Sequence, residues 1–303
     1  MKSYKVASVI VTYHPELNNI KKLVASLSRQ NVLTVIVDNG TLSECDYSDL
    51  ALVSDVIALT ENEGIAKAQN VGIEFCRKKY NVDYILFFDQ DSEITDNYVY
   101  KLTNDFFQLS DSGLKLAAIG PTFIDSRYKF YYKQIRLSKY GVRKKVDPQD
   151  FLKAFEVSLL ISSGSLVPVS VLDEVGKMNE DFFIDYVDTE WCLRAAALGY
   201  KLFISKDAVM EHAIGDKMIT FMGLHVPVHS SIRRYYRIRN SFLFFKLPHV
   251  PLILKIRDSL MNVIHQLLLI LTQKDKRANI KVFFKAVFDG LSNRFGKINQ
   301  AKH

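Results

Sequence analysis

Lys5-Val6-Ala7-Ser8-Val9-Ile10-Val11-Thr12 is the stretch on which the fold turns. It is apolar and β-branched without alternation, the pattern of a strand buried on both faces. Such strands belong to parallel sheets covered by helices on both sides, and the chain that follows keeps that rhythm. After Pro15, the residues Leu17, Ile20, Leu23, Val24 and Leu27 share one helical face. Leu33–Val37 reads as a second strand, Val53–Leu59 as a third, Gly64–Lys79 as a helix and Tyr84–Phe88 as a fourth strand. The alternation predicts an α/β domain with a mostly parallel sheet. Residues 124–150 form a long polar connection, Phe155–Ser162 reads as a strand, Thr189–Leu198 as a short helix and Lys201–Ser205 as a last strand. From about Ser230 the pattern is helical to the end. A catalytic or binding domain over 1–220 and a helical region over 221–303 are expected.

The 303 residues are 48% hydrophobic and 24% charged, enough for a substantial core. Cys45, Cys76 and Cys192 have no metal-like spacing, so a reduced, cytoplasmic protein without disulfides or a zinc site is expected. No signal peptide is visible, because the first apolar run stops at Thr12-Tyr13-His14-Pro15. The best candidate for a membrane span, Leu252 to Leu271, is broken by Lys255, Arg257, Asp258 and His265. Charge is uneven: residues 200–303 hold 18 Lys and Arg against 6 Asp and Glu, whereas 1–199 hold 22 against 27. An acidic front and a basic tail imply different partners for the two halves.

In open α/β sheets ligands bind at the carboxyl ends of the strands. Those ends are polar: Thr12-Tyr13, Asp38-Asn39-Gly40, Thr60-Glu61-Asn62-Glu63-Gly64 and Asp89-Gln90-Asp91. Two carboxylates one residue apart suit a hard divalent cation, Mg2+ or Mn2+, which takes one or two carboxylates plus phosphate oxygens. Strand–Asp-x-Asp also fits a phosphatase with Asp89 as nucleophile, although that motif usually opens the sheet, and here three strands precede it. Asn62 to Gly72 places Gly64 at a helix start, where backbone amides can face an anion. The glycine patterns of a P-loop and of a dinucleotide fold are absent.

Taken in order, Ser-Val-Ile-Val-Thr-Tyr at 8–13, Val-Asp-Asn at 37–39, Asn62 to Gly72, Phe-Phe-Asp-Gln-Asp-Ser at 87–92, Ser162-Ser163-Gly164 and Asp188-Thr189-Glu190-Trp191-Cys192-Leu193-Arg194 carry a resemblance. The chain resembles family 2 glycosyltransferases of the GT-A fold, a Rossmann-like mixed and mostly parallel sheet with flanking helices, and more narrowly bacterial rhamnosyltransferases. The likeness spans roughly residues 5–215. It implies metal-dependent, inverting transfer of a sugar, L-rhamnose from dTDP-L-rhamnose, to a hydroxyl of a growing cell-surface polysaccharide such as O-antigen, carried on a lipid. The Gln-x-x-Arg-Trp of the processive members is absent, which implies one sugar per acceptor.

The resemblance also implies roles. Thr12, Asp38, Asn62, Gly64 and Asn70 would serve the nucleotide, with Asp38 near the base. Asp89 would lie near the ribose or donor sugar, and Asp91 and His212 would face the metal. Asp188 matches the catalytic base. The motif usually carries Glu-Asp there, and this chain has Val187-Asp188, so Asp185 is a lesser candidate. Ser163, Gly164, Glu190, Trp191 and Arg239 would contact the acceptor or support the site. Taken alone, Asp188 could equally be a plain helix cap. A UDP-hexose donor, the phosphatase, and a non-catalytic basic module on a membrane or polyanion are the alternatives.

Arg233-Arg234-Tyr235-Tyr236-Arg237-Ile238-Arg239 offers guanidinium forks for phosphate. No nucleic-acid motif accompanies it, so no nucleic-acid partner is expected. Ile253, Ile256, Leu260, Val263, Leu267 and Leu271 form one apolar stripe. Packing against the catalytic domain is the plainer expectation for it. A homo-oligomer interface or peripheral attachment to the inner face of the plasma membrane are the others.

Overall fold

A computed structural model of the chain describes residues 4–125, 130–211, 217–221, 224–228, 230–273 and 275–298. Strand β1 (Val6–Thr12) is buried along its whole length. It lies between β2 (Leu33–Asp38) and β4 (Tyr84–Asp89) and pairs in parallel with both. Strand β3 (Asp55–Ala58) extends this half outward beside β2. The side chains of β1 divide between two cores. Ala7, Val9 and Val11 face one layer, Val6 and Ile10 the other. That is why an unbroken apolar run, not an alternating one, encodes the strand.

Helix α1 (Leu17–Arg29) buries Ile20, Leu23, Val24 and Leu27 on one face of the sheet. Helix α2 (Glu44–Ala51) starts at Ser43, whose hydroxyl accepts from the Asp46 amide. Helix α3 (Ile65–Tyr80) covers the opposite face and lies very close to it. A Cβ on Gly72 would stand 2.4 Å from Val9 Cγ1. The small residues of the Asn62–Gly72 motif thus serve helix-to-sheet packing.

Beyond β4 the topology departs from a simple parallel order. Strand β5 (Glu93–Ile94) and helix α4 (Tyr98–Asp111) lead to β6 (Leu116–Ile124). The polar connection holds an antiparallel hairpin of β7 (Gln134–Leu137) and β8 (Arg143–Val146). Strands β9 (Phe155–Val157) and β10 (Leu166–Pro168) follow. The expected strand Phe155–Ser162 is therefore only three residues long, continued by isolated bridges at Leu159 and Ser163. Strand β10 inserts antiparallel between β4 and β6.

Helices α5 (Val169–Val175) and α6 (Val187–Ala197) precede β11 (Lys201–Glu211). This last strand runs six residues past the expected Ser205. A register shift between Ile204 and Val209 carries it over polar Lys206 and Asp207, with Ser205 Oγ accepting from the Ala208 amide. The sheet order is β3-β2-β1-β4-β10-β6-β11-β5, with β9 on β11, mostly parallel as expected.

A hairpin of β12 (Lys217–Phe221) and β13 (Leu224–Val228) crosses the expected boundary at 220, and the helical tail begins at α7 (Ser231–Lys246). Helices α8 (Leu252–Thr272) and α9 (Lys276–Leu291) complete it. Phe183, Tyr235, Tyr236, Ile238 and Ala286 form a third core that joins α7 and α9 to the segment before α6. Among the described residues no helix is long and apolar enough to cross a membrane. Cys76 and Cys192 are buried free thiols and Cys45 an exposed one.

Packing does not account for the apolar stripe of α8. Ile253, Ile256, Leu260, Val263, Leu267 and Leu271 are all exposed. The buried face consists of Leu254, Asp258, Asn262, Gln266 and Leu269. The opposite orientation was expected. The reason lies in α7, whose buried Arg234 needs polar partners, and α8 supplies them.

Candidate active site

One cleft of about 1360 Å³ opens where the strands end. Ligand pockets for single small molecules run to about 1,000 Å³, so this one has room for more than a nucleotide. Thr12 and Tyr13 after β1, Asn39 after β2, Asn62 and Gly64 before α3, and Asp89, Gln90 and Asp91 at the end of β4 line one side. Ile161, Ser162 and the segment Phe183 to Thr189 line the floor. Arg143 and Lys145 of β8, Arg233 and Arg237 of α7, and Arg257, Asp258, Asn262 and His265 of α8 line the other side. A polypeptide separated by more than 200 residues in sequence thus builds one cavity.

The strand-end loops are tied to one another. Gln90 Oε1 accepts from the Tyr13 amide at 2.7 Å, linking the ends of β1 and β4. Asn39 Oδ1 accepts from the Glu63 amide at 2.9 Å, and Asn62 Oδ1 from the Gly64 amide at 3.0 Å. The Asp89 amide donates to Ser163 Oγ at 3.0 Å, and Ser163 Oγ lies 3.0 Å from Ser92 Oγ. Ser163 therefore holds the Asp89-Gln90-Asp91 turn from behind.

Thr12, Asn62, Gly64, Asp89, Asp91 and Asp188 are brought to the cleft as expected from the sequence. Asp38 is not. It is fully buried, and its carboxylate is spent on Thr12 Oγ1 (3.0 Å), Thr41 Oγ1 (2.9 Å) and the amides of Thr41 and Leu42 (2.6 and 3.0 Å). It shapes the loop that presents Asn39. Asn70 is also turned away. Its carboxamide brackets Met178 through both N–H and C=O at 2.9 Å and bonds Glu180 at 2.8 Å. It borders a separate hollow of about 330 Å³ with Lys67, Glu74 and Lys177.

Gly64 has φ of +87°, and a Cβ there would meet the Phe183 carbonyl at 2.5 Å. That carbonyl already takes the Ile65 amide at 2.8 Å, so one of the helix amides expected to face an anion is engaged within the protein.

The supporting residues are structural. Gly164, at φ +78°, is pinned under Tyr98 Oη, which donates to its carbonyl at 2.5 Å. Glu190 is buried and chelates Arg194 through two bonds of 2.9 Å. Trp191 Nε1 donates to the Gly176 carbonyl at 2.9 Å. None of these reaches the cleft, nor does Arg239. His212 lies outside the described residues.

Arg239 was expected to meet the acceptor. It is fully buried, and donates to the carbonyls of Gly296 at 2.6 Å and Asp181 at 3.1 Å. Its neighbour Asn240 donates to the carbonyls of Phe182 and Ile184, both at 2.8 Å. These bonds grip a segment in which Phe183, Asp185 and Tyr186 all have positive φ, at 62°, 61° and 67°. Non-glycine residues take that region rarely and at a cost, and such strain persists only where the surroundings impose it. The tail therefore sets the backbone that delivers Asp188.

Asp188 stands in the first turn of α6, and Ser162 donates to it from both side chain and backbone. Burial pushes its carboxyl up to about 6, the negative charge of Asp89 and Asp185 adds to that, and the Ser162 bonds oppose it. A carboxyl that changes charge near neutrality suits proton transfer. Asp185 is engaged instead with Arg233, whose Nε lies 3.3 Å away, and with Arg237 at 3.9 Å.

The cation-bearing side was only half visible from sequence. The arginines of α7 were singled out as partners for phosphate, but Arg143, Lys145 and Arg257 were not. Nothing local marks them, since they meet only through the β7–β8 hairpin and α8. Among the described residues no group of three His, Cys, Asp or Glu side chains is placed to hold a metal. Asp89 and Asp91 still fit a hard divalent cation that draws its remaining ligands from phosphate and water.

Comparison with known proteins identifies the family and the fold. Residues 8–176 match the model of the family described as "Glycosyl transferase family 2". The chain is 43% identical to the dTDP-rhamnosyl transferase RfbF of Shigella flexneri, covering 94% of this chain and 95% of that one. It is 23% identical to the low-salt glycan biosynthesis hexosyltransferase Agl10 of Haloferax volcanii, over 62% of this chain and 61% of that protein. In three dimensions it resembles the crystal structure of S. aureus TarS residues 1–349, with a TM-score of 0.53 at 14% identity, over 96% of this chain and 83% of that one.

Proposed function

The chain belongs to glycosyltransferase family 2, and from that premise we propose that it transfers L-rhamnose from dTDP-L-rhamnose to a hydroxyl of a lipid-linked glycan. The donor reading rests on the 43% identity to a dTDP-rhamnosyl transferase along nearly the whole chain. The single structural observation that carries the chemistry is Asp188, a carboxyl held near neutrality at the floor of a cleft that also presents Asp89 and Asp91.

In this mechanism the nucleotide lies along Thr12, Asn39 and Asn62. The acceptor oxygen attacks the anomeric carbon while its proton passes to Asp188. The bond from that carbon to the diphosphate breaks on the opposite face, so configuration inverts. Asp91, with Asp89 beside it, would hold Mg2+ or Mn2+, which when bound neutralises the leaving diphosphate. Asp185, tied to Arg233 and Arg237, is left to position the strained segment.

The test is incubation of the purified chain and manganese with a panel of nucleotide sugars, recording which diphosphate is released. Release from dTDP-L-rhamnose above all UDP-hexoses is expected. Asp91→Ala should abolish release, and a chelator should do the same to the unaltered protein. Full activity in excess chelator overturns the metal-dependent reading, and preference for a UDP-hexose overturns the donor.

A further inference from the structure

Helix α8 turns its apolar face to solvent and its polar face inward. Asp258 bonds Arg143 and Arg257, both at 2.8 Å. Asn262 Nδ2 donates to Tyr186 Oη at 2.8 Å, and Gln266 Oε1 accepts from Arg234 Nε at 3.1 Å. The outward face carries Ile256, Leu260, Leu267 and Leu271, which are 52, 57, 52 and 68% exposed. The same helix sends Met261, Ile264 and Leu268 into the lining of the cleft. The apolar residues of this one helix therefore include both cleft-lining and outward-facing side chains.

Where α8 lines it, the cleft is cationic. Arg143, Lys145, Arg233, Arg237 and Arg257 gather there, with Asp185 and Asp258 as their carboxylate partners among the described residues. Arg143 Nε is buried with no hydrogen-bond partner among the described residues. This side adjoins the Asp185–Asp188 segment, whereas Asp89 and Asp91 belong to the strand ends opposite.

We propose that the cationic side of the cleft and the outward face of α8 form one site for an amphiphile, a phosphate-bearing head joined to a long hydrocarbon chain. This rests on the reading of a lipid-linked acceptor and names where the carrier binds. The head sits among Arg143, Lys145 and Arg257, the chain leaves over Met261 and Ile264, and the glycan's free hydroxyl turns toward Asp188. Charge complementarity selects this occupant over a second copy of the chain. The protein carries a net charge of +7, and residues 200–303 hold 18 basic against 6 acidic residues, so pairing two copies here opposes like charges.

Titration calorimetry of the full chain tests this, with a short-chain prenyl phosphate below its critical micelle concentration, the corresponding prenyl alcohol, and inorganic phosphate. The prenyl phosphate should bind at least about tenfold tighter than either, since each half of the ligand adds its own contact. Lys145→Gln with Arg257→Gln, both exposed residues, should weaken the prenyl phosphate about tenfold, the weight of a charge-assisted hydrogen bond. Ile256→Gln with Leu260→Gln and Leu267→Gln should erase its advantage over inorganic phosphate.

Equal binding of the three probes overturns the proposal, as does unchanged binding in the variants. So does a dimer in sedimentation equilibrium that the α8 variants dissociate. Displacement of the probe by phosphatidylglycerol vesicles as readily as by excess prenyl phosphate overturns the acceptor assignment in favour of a bulk membrane headgroup. Donor hydrolysis measured on the same preparation separates the two readings. Hydrolysis without probe binding breaks only this inference, and probe binding without turnover of any nucleotide sugar breaks only the proposed function.

Discussion

Helices α1 and α8 carry similar sequence patterns and pack in opposite senses. Each has an apolar stripe at helical spacing. In α1 the stripe of Ile20, Leu23, Val24 and Leu27 is buried on the sheet. In α8 the stripe is exposed, and Asp258, Asn262 and Gln266 are buried. The surface each helix covers explains the difference. Helix α1 lies over Ile10, Ile36 and Phe88, which ask only to be shielded from water. Helix α8 lies over α7, where a fully buried Arg234 must find acceptors for its guanidinium N–H groups. Gln266 Oε1, the Asn262 carbonyl and His265 Nδ1 receive them at 3.0 to 3.1 Å. Periodicity reveals that a helix has two faces, and the neighbour decides which one turns inward.

The two packing modes divide the labour. The sheet side presents Asp89 and Asp91 on a framework of apolar burial, and the helical side holds the backbone that precedes Asp188 through polar bonds. Asp188→Asn gives the largest expected effect. It should lower turnover on the order of 10²–10⁴-fold with donor affinity nearly unchanged, measured as kcat against KM. In the unaltered enzyme the rate should fall about tenfold per pH unit below about 6, as the carboxyl takes up the proton it would otherwise accept.

The same residue links activity to stability. Its folded carboxyl is raised from 3.8 to about 6, so between those values the native state binds more protons than the unfolded chain. This group's contribution to stability therefore rises as pH falls through that window, and at higher pH the charged form is a burden. Asp188→Asn should raise the thermal midpoint at pH 8, with the gain shrinking toward pH 4. A gain that is the same at both pH values would show that the charge is not the cause.

The next effects are on stability alone. Leu27→Ala, from the buried stripe of α1, should cost about 2–5 kcal/mol in denaturant unfolding. Arg234→Met should cost less, about 1–3 kcal/mol, because it strands buried acceptors on α8 while relieving a desolvated charge. Burial already lowers the Arg234 guanidinium to about 10. Leu267→Ser, from the exposed stripe of α8, should change stability by no more than about 0.5 kcal/mol. A loss at Leu267 as large as that at Leu27 would mean that the face of α8 is packed after all, and the comparison would collapse.

Much of the sheet domain was legible because its signals are local. Unbroken apolar strands, the helix after Pro15 and polar strand ends all follow from two faces being covered, and they pointed to Thr12, Asn62, Asp89 and Asp91, which line the cleft, while Asp188 came from the family resemblance. Asp38 and Asn70 were misread because residue type does not tell whether a carboxylate or carboxamide faces ligand or backbone. Their hydrogen bonds settle it, with Thr41 and Leu42 for one and Met178 and Glu180 for the other.

Strand β6 was not anticipated, and the full length of β11 was hidden by Lys206 and Asp207 at a register shift. The grip of Arg239 and Asn240 on the strained Phe183–Tyr186 segment was beyond sequence, since it joins residues more than fifty positions apart. Sequence alone determined the fold class and marked the polar strand ends that line the cleft, because local patterning and strand order dictate both, whereas Asp188 was reached through the family resemblance. Only the tertiary structure decided which face of α8 is buried, which polar groups are spent on the backbone, and that the tail closes the cleft. Each of those depends on which surfaces meet, and that is a property of the packed chain.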